Sequence, residues 1–193
     1  MTDLDAAATA IEAGDLVVYP TETVYGLAAD ALDPAAVERV FEAKGRDRSK
    51  PISLGVPDVD MAGECVRATE REQAFMEEFL PGPVTVLCER REMVPDVLTA
   101  GSDQVGVRVP DHDLALALLD RTGPITATSA NVSGRPSVRR LAEVDEEITE
   151  AASVVLDGGT TGGVESTVVD VEQGVIHRRG VRGDEIEAWL GEH

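Results

Sequence analysis

Short apolar runs recur along this chain, with enough residues between some of them for a helix and too few between others. That spacing limits the fold more than any other feature. Residues 16–19, 52–56, 84–87, 105–109, 125–128, 154–156, 167–171 and 175–178 have the length and residue types of strands. A helix is expected over 3–13, stopped by Gly14, and another starts with Asp33 as N-cap and Pro34 at its first position, ending near Lys44-Gly45. Thr69 and Glu72 form a capping box for a helix carrying Phe75, Met76 and Phe79, which Pro81-Gly82-Pro83 ends. Further helices are expected over 111–121 and 184–190. Such alternation predicts an α/β fold. Parallel neighbours need a crossover of about a dozen residues or more, and the segment around Gln173-Gly174 is too short for one. It reads as a hairpin, so the sheet should be mixed, with a purely parallel doubly wound sheet as the alternative. No repeat or linker interrupts the 193 residues, and a single domain over 1–193 is expected.

Aromatic residues make up only 3% of the chain, so the core must be aliphatic. No surface of interleaved aromatic and basic side chains is available to stack single-stranded nucleic acid. The formal charge is −20, from 17 basic and 37 acidic residues, and the acids are spread along the sequence rather than gathered in a tail. A surface of this kind suits high ionic strength, where the Debye length falls to roughly 3 Å at 1 M salt, and the expectation is a halophilic protein of the cytoplasm. Both lysines, Lys44 and Lys50, fall in one basic island with Arg46 and Arg48. A cluster of four cations against so negative a background makes a local field suited to an anion. A solvated loop after a helix is the plainer reading.

The N-terminal residues are acidic and lack an apolar run behind positive charge, unlike a signal peptide. No apolar stretch approaches the roughly 20 residues of a membrane span. Cys65 and Cys88 are isolated, and no Cys/His spacing suggests a metal site formed by protein side chains.

Two polar segments follow apolar strands, where open α/β sheets present ligand crevices. One is residues 19–27, with Thr21, Glu22 and Thr23; the other is 126–134, with Ser129, Asn131, Ser133 and Gly134. Backbone N–H groups of such small-residue turns can cradle phosphate oxygens, and the same residues serve equally as ordinary turn chemistry. Arg108 interrupts the run 105–109, and Arg178 ends the run from Val175. Each needs a carboxylate or phosphate partner, and a salt bridge to one of the chain's own acids meets that need as well as a ligand does. The usual phosphate-binding glycine motifs are absent, and the three histidines are dispersed.

In order along the chain, YPTETVYGL at 19–27, KGR with KP at 44–51, LPGPVT at 80–85, VRVPDH at 107–112, TSANVSG at 128–134, STVVD at 166–170 and Arg178-x-Gly180 resemble the threonylcarbamoyl-AMP synthase family, often called YrdC-like. The resemblance implies a twisted sheet with flanking helices around a central basic cavity. It implies an enzyme, a nucleotidyltransferase that makes threonylcarbamoyl-AMP and pyrophosphate from L-threonine, bicarbonate or CO2, and ATP. The product goes to a separate transferase complex that modifies the adenosine beside the anticodon of tRNA. Thr23, Arg108, Ala127 and Ser166 match family positions that hold threonine. Lys44, Arg46, Lys50, Ser129, Asn131, Ser137 and Arg178 match positions around the nucleotide, with Lys44 and Arg46 as the catalytic pair on the polyphosphate. Mg²⁺ is expected to arrive with ATP. Gly55 stands where many members carry a histidine, Asp47 where proline is common, and Gln104 where threonine is frequent. The additional C-terminal domain of longer members is not expected. Lys44→Ala and Arg46→Ala are expected to leave the fold intact. The alternative is an RNA-binding protein of the same fold without synthase activity. Direct RNA binding should be weak at this net charge.

Overall fold

The computed structural model describes residues 3–193. In chain order the strands are β1 (Leu16–Tyr19), β2 (Gly26–Ala28), β3 (Ser53–Gly55), β4 (Val66–Arg67), β5 (Val84–Arg90), β6 (Gln104–Arg108), β7 (Ile125–Ala127), β8 (Ala152–Val155), β9 (Thr167–Asp170) and β10 (Val175–Arg178). The helices are α1 (Asp3–Glu12), α2 (Pro34–Lys44), α3 (Val59–Cys65), α4 (Glu70–Phe79), α5 (Asp96–Thr99), α6 (Asp113–Thr122), α7 (Glu146–Ala151) and α8 (Gly183–Glu192).

The mixed character expected from loop lengths is present, but the strands divide into two open sheets. A small sheet has the order β2-β1-β8, with β1 antiparallel to β2 and parallel to β8. A larger sheet runs β10-β9-β5-β6-β3-β7, with β4 also paired to β5. Parallel pairs β5–β9 and β3–β6 sit among antiparallel ones, including the β9–β10 hairpin. Isolated bridges Gly26↔Ser129 and Asp30↔Ile125 join the sheets where β2 meets β7 and the residues after it.

The helix ends follow from local chemistry. Asp33 accepts a hydrogen bond from the Ala35 N–H, Pro34 occupies the first turn, and Gly45 closes α2 in the left-handed region at φ 54°. Thr69 and Glu72 form the reciprocal capping box of α4, with Glu72 N–H to Thr69 Oγ1 at 3.1 Å and Thr69 N–H to Glu72 Oε2 at 2.8 Å. The scarce aromatics are concentrated where α4 meets α8. Phe75 and Phe79 stack at 4.4 Å, and Trp189 meets Phe75 edge-on at 5.0 Å. Elsewhere the core is aliphatic. Ala7 and Ile11 of α1 pack with Leu118 and Leu119 of α6 beside Val17 and Ile125; each fully buried leucine of this kind stabilises the fold by about 1.5–3 kcal/mol. Cys65 and Cys88 are free and buried. No helix among the described residues is long and apolar enough to cross a membrane.

α2 ends at Lys44 with Gly45 as cap, where the sequence placed its end, but Lys44 is buried, 1% exposed, and is not the solvated loop cation expected. Arg48 is exposed and paired with Glu38 at 2.7 Å.

Candidate active site

Strand alternation carves a cavity over one face of the large sheet. Val84, Val86 and Cys88 of β5, Val105 and Val107 of β6, and Leu54 of β3 point into the core. Their neighbours Thr85 and Leu87, Gln104, Gly106 and Arg108, and Ser53 line a cavity of about 470 Å³ on the opposite face. That volume lies within the roughly 300–1,000 Å³ of small-molecule sites. Gly106 keeps the floor low, since a Cβ there would lie 2.5 Å from Ser53 Oγ and 2.8 Å from Thr85 Cγ2. The β1–β2 connection closes one wall. Tyr19 lies against Gly26, where a Cβ would come within 2.7 Å of the ring. Burial pushes the Tyr19 phenol up to about 12, against the opposing pull of Arg108.

Arg108 reaches from β6 to that wall. Its Nη2 donates to Glu22 Oε1 and Thr23 Oγ1, both at 2.7 Å. Its Nε and Glu22 Oε2 are buried without a hydrogen-bond partner among the described residues. Arg46 donates from Nε to the Lys50 carbonyl at 3.1 Å and from Nη2 to the Pro51 carbonyl at 2.9 Å, with no carboxylate partner among the described residues. Burial, and then the positive charge of Arg178, lower its pKa. Arg178 donates from Nε to the Ser166 carbonyl at 3.0 Å and from Nη2 to Ser166 Oγ at 2.9 Å. Ser166 Oγ also lies 3.1 Å from Thr85 Oγ1. Glu165 Oε2 pairs with Arg178 at 3.1 Å, while its Oε1 accepts from Ser137 Oγ at 2.5 Å.

Of the residues proposed from sequence, Thr23, Arg46, Arg108, Ala127, Ser129, Ser166 and Arg178 line the one cavity. Lys44, Lys50, Asn131 and Ser137 are not among its lining residues. Lys44 stands behind the wall, its ammonium donating to the Asn131 carbonyl at 2.8 Å and, at short range, to the Ser129 carbonyl. Burial and then Arg46 lower its pKa to about 8, with Asp145 and Glu165 pulling the other way. Asn131 holds the following turn through Nδ2, which donates to the carbonyls of Val132 and Arg135. Lys50 is exposed.

The three departures from the family pattern are also placed. Gly55 pairs with Arg108 and Ile125, and a Cβ there would make only ordinary contacts, at 3.5 Å with Ile125 and 3.7 Å with Ala127. Gln104 lines the cavity and donates to Asp170 at 3.2 Å. Asp47 accepts from the Ser49 N–H in an exposed turn.

Ser53, Thr85 and Gly106 are site residues that motif reading left unassigned, and the period-two alternation of β3, β5 and β6 is the signal that finds them. Glu165 had no such signal in so acidic a chain. Among the described residues no group of three or more His, Cys, Asp or Glu could hold a metal ion. The cavity can hold a polyanion on guanidiniums and hydroxyls and a second, smaller anion near Arg108.

A family model described as telomere recombination, covering Sua5, YciO and YrdC, matches residues 9–180. The threonylcarbamoyl-AMP synthase of Pyrococcus abyssi is 41% identical over 192 residues, which cover 96% of this chain and 56% of that protein. The Bacillus subtilis synthase is 38% identical, with 96% and 56% covered. The chain thus spans about half the length of these relatives. The crystal structure of P. abyssi Sua5 complexed with L-threonine superposes with a TM-score of 0.92 at 40% identity, over 100% of this chain and 59% of that one. On the family match and these identities, the chain belongs to the Sua5/YciO/YrdC family.

Proposed function

We propose that this chain is an L-threonylcarbamoyladenylate synthase, a nucleotidyltransferase of the cytoplasm. One observation carries the reading. All seven sequence segments of the family pattern contribute at least one side chain to the same cavity: Tyr19, Thr21, Thr23 and Val24 from the first, then Arg46, Thr85, Arg108, Ser129, Ser166 and Arg178. The relatives named as synthases, and the threonine bound to the P. abyssi protein, support the substrate assignment.

The chemistry suits such a cavity. The amine of threonine forms a bond to the carbon of CO2 with loss of a proton, or of bicarbonate with loss of water, to give a carbamate. A carbamate oxygen then forms a bond to the α-phosphorus of ATP as the bond to pyrophosphate breaks. Little covalent help is required, and rate comes from alignment and from charges placed where negative charge develops. Arg46 and Arg178 hold the polyphosphate, Ser129 the nucleotide, and Arg108 the threonine carboxylate, its unpartnered Nε being free to donate. Thr23 and Ser166 fix the amino acid by their hydroxyls, beside the methyl of Ala127. Lys44 supplies its charge from behind the turn that carries Ser129, Asn131 orders that turn, and Lys50 and Ser137 act from outside the cavity lining. Mg²⁺ comes with ATP and keeps most of its water, as it does where dedicated carboxylate cages are lacking. The product passes to a separate tRNA threonylcarbamoyl transferase complex.

The test is pyrophosphate release by the purified protein in molar salt. It should require both threonine and bicarbonate, and Arg46→Ala should reduce it by about two orders of magnitude or more, as loss of a charge-stabilising donor does. Release that ignores threonine would overturn the assignment.

A further inference from the structure

Among the described residues, Glu165 is the one carboxylate whose side chain lines the cavity, where the arginines are Arg46, Arg108 and Arg178. It is also accessible, with its side chain 43% exposed. Both oxygens are engaged. Oε1 accepts from Ser137 and Oε2 pairs with Arg178, so the carboxylate ties the segment between β7 and α7 to the end of β10.

A carboxylate in this position works against an anion. A free polyphosphate that takes Arg178 leaves Glu165 facing phosphate oxygens, like charge against like. A divalent cation on the polyphosphate reverses the sign of that contact. Mg²⁺ is commonly held by one or two carboxylates together with substrate phosphates, and Glu165 offers one. The side chain has only to exchange two partners for the cation's shell.

We propose that Glu165 is a specificity-determining residue that makes the cavity select the divalent-cation complex of a polyphosphate over the free polyanion. The proposal rests on the ATP reading given above. The sign of the preference is diagnostic, because a pocket of guanidiniums alone prefers free ATP, which carries more negative charge than its magnesium complex.

The experiment is calorimetric titration with ATP alone, without threonine or bicarbonate, in excess Mg²⁺ or in a chelator at equal ionic strength. Wild type should bind the magnesium complex about tenfold or more tightly than free ATP. Glu165→Gln keeps an acceptor for Ser137 and should bring the ratio to one or below, chiefly by tightening free ATP; Glu165→Asp should retain the preference. A wild-type ratio at or below one overturns the proposal without any variant, and so does a Glu165→Gln protein that keeps the wild-type ratio. Absence of ATP binding in both forms would instead sink the ATP reading itself.

Discussion

Lys44 sits at the C-terminal end of α2 with its ammonium between two carbonyls of the turn that carries Ser129 into the cavity wall. Removing it takes the donor from a buried carbonyl at Asn131 and a part-buried one at Ser129, where a buried group left unpaired costs about 1–3 kcal/mol. Lys44→Ala should therefore lower the thermal midpoint, contrary to the intact fold expected of a loop cation, while Arg46→Ala should not. Its titration has a definite sign. With a folded pKa of about 8 against 10.5 for the unfolded lysine, the folded state binds fewer protons between those values, so this group makes stability rise with pH across that window. A bound polyanion favours the charged ammonium, so ATP binding near pH 8.5 should take up protons. Titrations in buffers of different ionisation enthalpy would detect the uptake, which should vanish in Lys44→Met. Gly106→Ala tests the floor, because the added Cβ meets Ser53 and Thr85 at less than contact distance. It should cost about 1–3 kcal/mol by overpacking and weaken ATP binding. The lysine's burial was not legible in sequence, where charged residues read as exposed. Arg108 and Arg178 were, because a guanidinium within an apolar run needs a partner. The sequence left open whether that partner was ligand or carboxylate; here each has a carboxylate of its own chain, Glu22 and Glu165.

Among the elements, those with chemical punctuation were read closely. The α2 helix has Asp33, Pro34 and Gly45 at its ends, and α4 has the box of Thr69 and Glu72. Thr69→Ala should lower stability by about 1 kcal/mol, measured by denaturant unfolding. A change below a few tenths would show that the cap contributes nothing in solution. Short elements escaped reading. The three residues of β2 follow a polar loop and have no alternation to reveal them, and α3, α5 and α7 are only one or two turns long. The division into two sheets was equally hidden, since it depends on which strands meet in space. That β1 pairs with β8 rather than with β3 is set by tertiary contacts, not by any local signal.

Over the whole molecule, the charge of −20 creates self-repulsion in the compact state that salt relieves. We expect the unfolding midpoint to rise between low and molar salt; a flat or falling midpoint would remove the halophilic reading. The ion pairs present are mostly exposed, each worth about 0–1 kcal/mol, and weaken with salt, so the sign of the response reports the net field. The pairing of β1 with β8 has a consequence in time. During synthesis β1 and β2 emerge early, but a two-stranded ribbon is marginal by itself, and the parallel partner at 152–155 comes only after most of the chain. The wall of the cavity formed by residues 19–26 is thus assembled late, and a ribosome-bound chain shorter than this should fail to hold it, however well the large sheet's earlier strands have formed.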